Sequence, residues 1–286
     1  MYLSKEQINE LIDKVGQIEG IKIFNKFFGS YRKYLSSNDV GDLYDDEYYQ
    51  KISSIEKYKI VNGQYEINIF NKYSYEYIIK KDITNVNVLD VGCGDASFLL
   101  ALAHERKDSY FTGIDFSELC IARGLEKIKR NNIKNCSLIH CDVSELDTTN
   151  KYDFVILNDI SEHLSDNELT SLLIKISKIL SETGEILIHT PNGLAFCNDT
   201  DSNFIKRLYK LSLIVFKKAQ TIVKTKEQLY YEQMHINIKS YRQLKRLLYR
   251  CNLSSKVEYD TKNKISLLNC LSTNMLVTAK VRKGKA

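Results

Sequence analysis

"VLDVGCGDAS", residues Val88 to Ser97, is a run of apolar and β-branched residues closed by an acid and followed by two glycines one residue apart. Such a run reads as a buried strand turning sharply into a helix, the place where an open α/β sheet approaches a nucleotide-like ligand. Gly92 and Gly94 permit the turn and a close approach of the backbone, and Asp90 stands at the carboxyl end of the strand. A second acid sharpens the reading. "GIDFS" places Asp115 at the end of a second strand about 20 residues after Gly94, where a carboxylate accepts both hydroxyl hydrogens of an adenosine ribose. The competing reading makes Asp115 a strand-terminal acid that caps a helix starting at Ser117.

A nicotinamide dinucleotide uses the same two features, but its fingerprint adds Gly or Ala three residues after the second glycine, and that position is Ser97. The sequence therefore leans away from NAD. Further on, "HCDVSEL" supplies Asp142 at the end of a third strand, able to accept from an adenine amino group, with Val143 as an apolar wall for the ring.

Around these blocks strands and helices alternate from about Asn85: "VNVLDV", "ASFLLALAHER", "YFTGID", "SELCIARGLEKIKRN", "CSLIHCD", "YDFVILND", "NELTSLLIKISKIL" and "GEILIHT". This alternation predicts a mostly parallel, doubly wound α/β sheet covered on both faces. After Pro191 a basic segment interrupts the pattern, which resumes with the helix "SYRQLKRLLYR" and closes with the strands "SKVEYD" and "TNMLVTAKV". At the start of the chain, Ser4 to Gln7 form a capping box, and Ile8, Leu11, Ile12, Val15 and Ile18 follow at helical spacing, predicting an amphipathic helix that ends near Gly20. Residues 21 to 82, rich in Tyr, Lys, Asp and Asn, read as short helices and loops. The expected division is an N-terminal helical cap over 1–82 and a ligand-binding domain over 83–286, with a lid or insertion at 192–238.

The 286 residues, 43% of them hydrophobic, suffice for a large α/β domain with an appended segment. Lys and Arg number 41 against 36 Asp and Glu, and a net charge of +5 suits an ordinary soluble protein better than a dedicated nucleic-acid binder. The 7 cysteines are odd in number and show neither a C-x-x-C pair nor a zinc-finger quartet, so they read as reduced thiols. No apolar signal region opens the chain and no run reaches the roughly 18 apolar residues of a membrane span, so a cytoplasmic protein is expected.

Residues from about 85 to 190 resemble class I S-adenosylmethionine (SAM)-dependent methyltransferases. The blocks "VLDVGCGDAS", "GIDFS", "CDVSEL" and "YDFVILNDISEHLSD" stand in the family's order, followed by "GEILIHTPN". The likeness is closest to small-molecule O- and N-methyltransferases of the ubiquinone-biosynthesis type, in which Glu-His-Leu follows the fourth strand as Glu162-His163-Leu164 does here. Ala96 departs from the pattern, since the family commonly has glycine there. The resemblance implies a Rossmann-like seven-stranded sheet of order 3-2-1-4-5-7-6 with the last strand antiparallel. It gives the methionine moiety of SAM to Asp90, Gly92, Cys93 and Gly94, the ribose and adenine to Asp115 and Phe116, the adenine edge to Asp142 and Val143, and the floor of the site to Asn158, Asp159 and Ile160.

The SAM sulfonium is already activated, so the protein must chiefly align an acceptor and exclude water. His163, at the mouth of the site, and His235, before the last helix, are the candidate base or substrate-orienting groups. Asp159, Glu162 and His163 fall within five residues, but such a group more often solvates its loop, and no metal is expected. Pro191 is the only proline. That excludes the Asn/Asp-Pro-Pro-Tyr/Phe motif of amino-methylating DNA enzymes, where this chain has Asn158-Asp159-Ile160-Ser161, and the Pro-Cys nucleophile of cytosine-C5 enzymes.

Between Phe204 and Lys226 the chain carries Lys206, Arg207, Lys210, Lys217, Lys218, Lys224 and Lys226 and no acid, with apolar residues at roughly helical spacing. It reads first as a lid over the substrate pocket, with peripheral contact to an anionic membrane and a polyanion patch as the competing uses. Tyr44, Tyr48 and Tyr49 are candidates for lining the acceptor pocket, against a competing role in packing. The expected activity is methyl transfer from SAM to O or N of a small molecule such as a sugar, glycan intermediate or lipid-linked metabolite. An RNA methyltransferase and a SAM-binding scaffold without activity are the rivals.

Overall fold

A computed structural model describes residues 2–43, 58–61, 64–67, 72–81, 84–146, 149–193, 226–259 and 274–282. The chain opens with helix α1 (Lys5–Val15). Ser4 caps it, its hydroxyl accepting from the Gln7 amide while the Gln7 side chain bonds back to the Ser4 amide at 2.9 Å. The helix stops earlier than its apolar spacing predicts. Gly16 takes φ +81°, in the left-handed region, and a separate helix α2 (Gln17–Tyr31) follows. A two-stranded antiparallel hairpin, β1 (Tyr58–Val61) and β2 (Gln64–Ile67), occupies part of the segment read as helices and loops, and helix α3 (Lys72–Ile79) follows it.

The main sheet is built from β3 (Asn87–Val91), β4 (Tyr110–Asp115), β5 (Cys136–His140), β6 (Tyr152–Asn158), β7 (Leu180–Pro191), β8 (Leu253–Tyr259) and β9 (Asn274–Val281). Their spatial order is β5-β4-β3-β6-β7-β9-β8, the expected 3-2-1-4-5-7-6. The first five are parallel, and β9 pairs antiparallel with both β7 and β8. Helices α4 (Ser97–Glu105), α5 (Glu118–Arg130) and α6 (Asp166–Ile179) cross between strands, and α7 (Lys226–Glu232) and α8 (Tyr241–Arg250) precede the final hairpin.

The strands are apolar because helices cover both faces. One core joins Leu89, Val155 and Leu157 to Leu169, Leu173, Ile176 and Leu248; another joins Val88 and Ile156 to Leu99, Leu102 and Phe111. A third core lies apart. It packs Ile8 and Ile12 of α1 and Phe24 and Phe28 of α2 against Leu229 and Tyr230 of α7 and against Met234 and Ile236. The Gln233 side chain, wholly buried, ties this core by accepting from the Leu3 amide at 2.7 Å and donating to the Leu3 carbonyl at 2.9 Å. The helical start of the chain thus anchors the segment that leads into α8. No described helix is long and apolar enough to cross a membrane.

Candidate functional site

The chain runs from β3 through β4 to β5 on one side, then returns to β6 on the other, so the strand order reverses between β3 and β6. A crevice opens beyond the carboxyl ends of strands at such a switch point. Several of the sequence-predicted positions stand there. Gly92 turns out of β3 at φ +72°, and a Cβ on it would lie 2.7 Å from Ile160 Cδ1, so the turn requires glycine on two counts. Gly94, at φ +55°, has nothing within 4 Å of where its Cβ would be. That open space above the loop is room for a ligand against bare backbone.

The loop is fixed from below by β4. The amides of Gly92 and Cys93 donate to the Ile114 carbonyl at 2.8 and 3.0 Å, and the Gly94 amide donates to Asp115 Oδ2 at 2.8 Å. Asp115 Oδ1 accepts from the Ser117 amide at 2.9 Å, while Ser117 itself caps α5. Asp115 therefore serves the helix start and the glycine loop together. Burial raises its pKa above the ordinary carboxylate range, against the lowering effect of these two amides. The Cys93 thiol contacts the Gly94 carbonyl at 3.6 Å, and burial first, then the nearby Asp90, hold it well above the usual thiol range. Cys93 contributes backbone rather than a thiolate. The five described cysteines are all free thiols.

Among the described residues, two buried polar atoms at this switch point have no hydrogen-bond partner. Asp90 is 2% exposed, its Oδ1 lacks a hydrogen bond, and burial followed by the Asp115 charge pushes its pKa far up. Across the reversal, Asn158 accepts from Ser74 Oγ of α3 at 2.8 Å, but its Nδ2 is unpaired. An orphaned acceptor and an orphaned donor, each costly to bury, flank one crevice.

Phe116 is exposed, and its carbonyl is held by His140 Nε2 at 2.9 Å. Asp142 is exposed and caps the short turn Val143–Glu145, its Oδ1 accepting from the Ser144 amide at 2.7 Å; Val143 is half-buried against the core. Asp159 adopts φ +53°, and its carboxylate meets His189 Nδ1 of β7 at 2.8 Å. Ile160 closes on Gly92.

Beyond Ile160 the loop meets the segment after α7. Glu162 is 1% exposed; Thr190 Oγ1 and Ser161 Oγ donate to its Oε2 at 2.9 and 3.4 Å, and burial, with Asp159 nearby, lifts its pKa to about 8. His163 Nδ1 lies 3.0 Å from the Met234 carbonyl. A carbonyl only accepts, so Nδ1 bears the proton and Nε2 the lone pair. Burial lowers the His163 pKa and favours this neutral form. The His235 ring packs on it at 4.9 Å between centroids, 39° between planes. Asn237 completes the seam, its amide donating to the Glu162 carbonyl at 2.8 Å and its side chain to the Leu164 carbonyl at 2.7 Å.

The sequence reading grouped Glu162 and His163 with Asp159 and kept His235 apart; the fold brings the two imidazole rings together beside Glu162, while Asp159 pairs with His189. It assigned nothing to Ser74, Thr190 or His189, which hold Asn158, Glu162 and Asp159, and no motif marks them. The basic residues from Phe204 to Lys224 and the tyrosines 44, 48 and 49 lie outside the described residues; Lys226, which begins α7, pairs with Asp13 of α1 at 2.7 Å.

A family model described as methyltransferase domain matches residues 83–250, more than half of the chain. The chain belongs to the methyltransferase domain family. Its methyltransferase domain is 29% identical over 166 residues to the release factor glutamine methyltransferase of Buchnera aphidicola, covering 58% of this chain and 57% of that one. It is 33% identical over 116 residues to the demethylmenaquinone methyltransferase of Listeria welshimeri, covering 40% and 44%. A release factor glutamine methyltransferase of Fusobacterium nucleatum matches at 29% over 119 residues, 41% of this chain and 32% of that one. The chain thus spans between a third and somewhat over half the length of these relatives. Among solved structures, the plantazolicin methyltransferase BpumL in complex with SAH aligns at TM-score 0.55 and 18% identity, covering 91% of this chain and 100% of that one. A SAM-dependent methyltransferase from Clostridium acetobutylicum aligns at 0.55 and 12%, covering 82% and 99%. These likenesses agree with the Rossmann-like methyltransferase fold of the sheet.

Proposed function

We propose that the protein transfers a methyl group from SAM to an oxygen or nitrogen of a small-molecule acceptor. The observation that carries this reading is the pair of buried polar atoms at the switch point with no hydrogen-bond partner among the described residues, Asp90 Oδ1 at the end of β3 and Asn158 Nδ2 at the end of β6. A zwitterionic methionine moiety satisfies both, its ammonium at the acid and its carboxylate at the amide. A dinucleotide pyrophosphate would bring negative charge toward Asp90 and Asp115, both buried acids. Asp115 then takes the ribose, and Phe116, Asp142 and Val143 border the adenine.

Methyl transfer asks for alignment and dryness more than for acid–base chemistry. The acceptor lies against His163 and His235, where the segment after α7 meets the loop after β6. His163, with Nε2 unprotonated, is the group placed to orient an acceptor O–H or N–H, and a general base adds rate only where that proton persists at neutral pH. The demethylmenaquinone relatives are named for a small acceptor and the release factor relatives for a protein one, so acceptor chemistry is decided outside the shared blocks.

The test is transfer of tritiated methyl from SAM to panels of sugars, glycan intermediates and lipid-linked metabolites, with bulk RNA as a parallel arm. Labelling of a small molecule supports the proposal. Labelling of RNA alone, or SAM binding with no labelled product in any arm, contradicts it in favour of an RNA enzyme or an inactive scaffold.

A further inference from the structure

Glu162, His163 and His235 each present one ligand atom, and the three atoms lie within 4.8 Å of one another. We infer that these side chains form a binding site for a divalent first-row transition-metal cation such as zinc, with open coordination positions toward the acceptor. Two imidazoles and one carboxylate are the donor set of many three-ligand sites that keep further positions open, and imidazole favours zinc, iron, cobalt or nickel over magnesium or calcium.

The surroundings are those of a ligand set. The His163 Nδ1–H···O=C bond to Met234 fixes the ring so that Nε2 carries the lone pair, and metal-binding imidazoles are characteristically oriented by such a bond. The Glu162 carboxylate is steered by Thr190 and Ser161, and both hydroxyls bond Oε2. His235 is carried by the chain that the Asn237 amide ties to the Glu162 carbonyl. Each ligand is thus aimed by a bond of its own or its neighbour's. Ligand atoms around a tetrahedral zinc at about 2.1 Å sit roughly 3.4 Å apart, so small side-chain rotations complete the set.

Binding of the cation is a claim separate from methyl transfer; its role, to hold an acceptor oxygen, rests on the function proposed above and takes the place of the direct hydrogen bond to His163 Nε2, whose lone pair the metal then occupies. The experiment is titration of chelator-treated full-length protein with zinc chloride, read by equilibrium dialysis, alongside the absorption spectrum of the cobalt(II) form. SAH binding is measured calorimetrically on every sample. One equivalent of zinc is expected, weakened by more than about 100-fold in His235→Ala and in Glu162→Gln, since even outer-shell changes cost 10- to 100-fold. His104→Ala, remote from the site, keeps it. Failure of the wild type to bind a stoichiometric equivalent, or unchanged binding in both variants, overturns the proposal. Should a variant lose SAH binding through misfolding, the wild-type cobalt spectrum decides: nitrogen-ligated cobalt of low coordination supports the site, and the hydrated ion's spectrum overturns it. Zinc binding without SAH binding would sink the SAM reading and leave the metal site standing.

Discussion

The Gly94 amide donates to Asp115 Oδ2 at 2.8 Å, so the residue proposed to hold the ribose also holds the glycine loop proposed to meet the methionine end. Removing that carboxylate strikes both ends at once. Asp115→Ala is predicted to weaken SAH binding by about 10- to 100-fold, the range for losing charge-assisted hydrogen bonds of about 1.5–3 kcal/mol. Calorimetry checks this, and a loss of less than threefold would remove Asp115 from the site.

At Gly92 the prediction concerns stability. A Cβ there meets Ile160 Cδ1 at 2.7 Å on a backbone with φ +72°. Gly92→Ala should cost about 2 kcal/mol or more through strain and crowding. Ile160→Val deletes the offending carbon, and the double variant should recover part of the loss in urea denaturation. The strain component at φ +72° should persist.

Ser74 connects α3 to the switch point through Asn158 at 2.8 Å. Ser74→Ala should raise the SAH dissociation constant about fivefold, corresponding to a net hydrogen bond of about 1 kcal/mol. Equal affinity in wild type and variant would show that Asn158 needs no support from α3.

How far the sequence carried depends on how local each signal is. The strand–helix alternation and the glycine loop follow from residues that act on their immediate neighbours, Gly92, Gly94 and the apolar runs before them, whereas the strand order was implied by the family resemblance and matches the observed sheet. Of the competing readings of Asp115, the structure shows the one at the helix start, through the Ser117 amide, and adds a support of the glycine loop that the sequence reading did not foresee. The pairing of His163 with His235 was not legible, because it depends on Gln233 gripping Leu3 and on Asn237 gripping the loop after β6, contacts made between distant parts of the chain. Gly16 was hidden for the opposite reason: the apolar spacing continues across it, while its own φ of +81° ends the helix.

Acid should expose an ion cluster around the buried Glu185 in the middle of β7. Glu185, 5% exposed, bonds Tyr77 Oη at 2.5 Å and pairs with Lys81 at 3.0 Å and Lys280 at 2.7 Å. Burial works to raise its pKa, but bonds from Lys280, Tyr77 and Lys81 outweigh burial and leave it below the ordinary glutamate value. A depressed carboxyl stabilises the fold above its unfolded pKa and loses that contribution as pH falls through the folded one. Stability measured from pH 6 downward should therefore decline below about 4.5, and Glu185→Gln should flatten this part of the decline. An identical slope in the variant would assign the acid limb to other carboxyls.

The most direct test of the account is calorimetric titration of the wild-type protein with SAM, SAH and NAD. The account predicts saturable one-to-one binding of the first two and none of NAD. Binding of NAD alone would contradict it, and the ligand assigned to "VLDVGCGDAS" would have to be replaced.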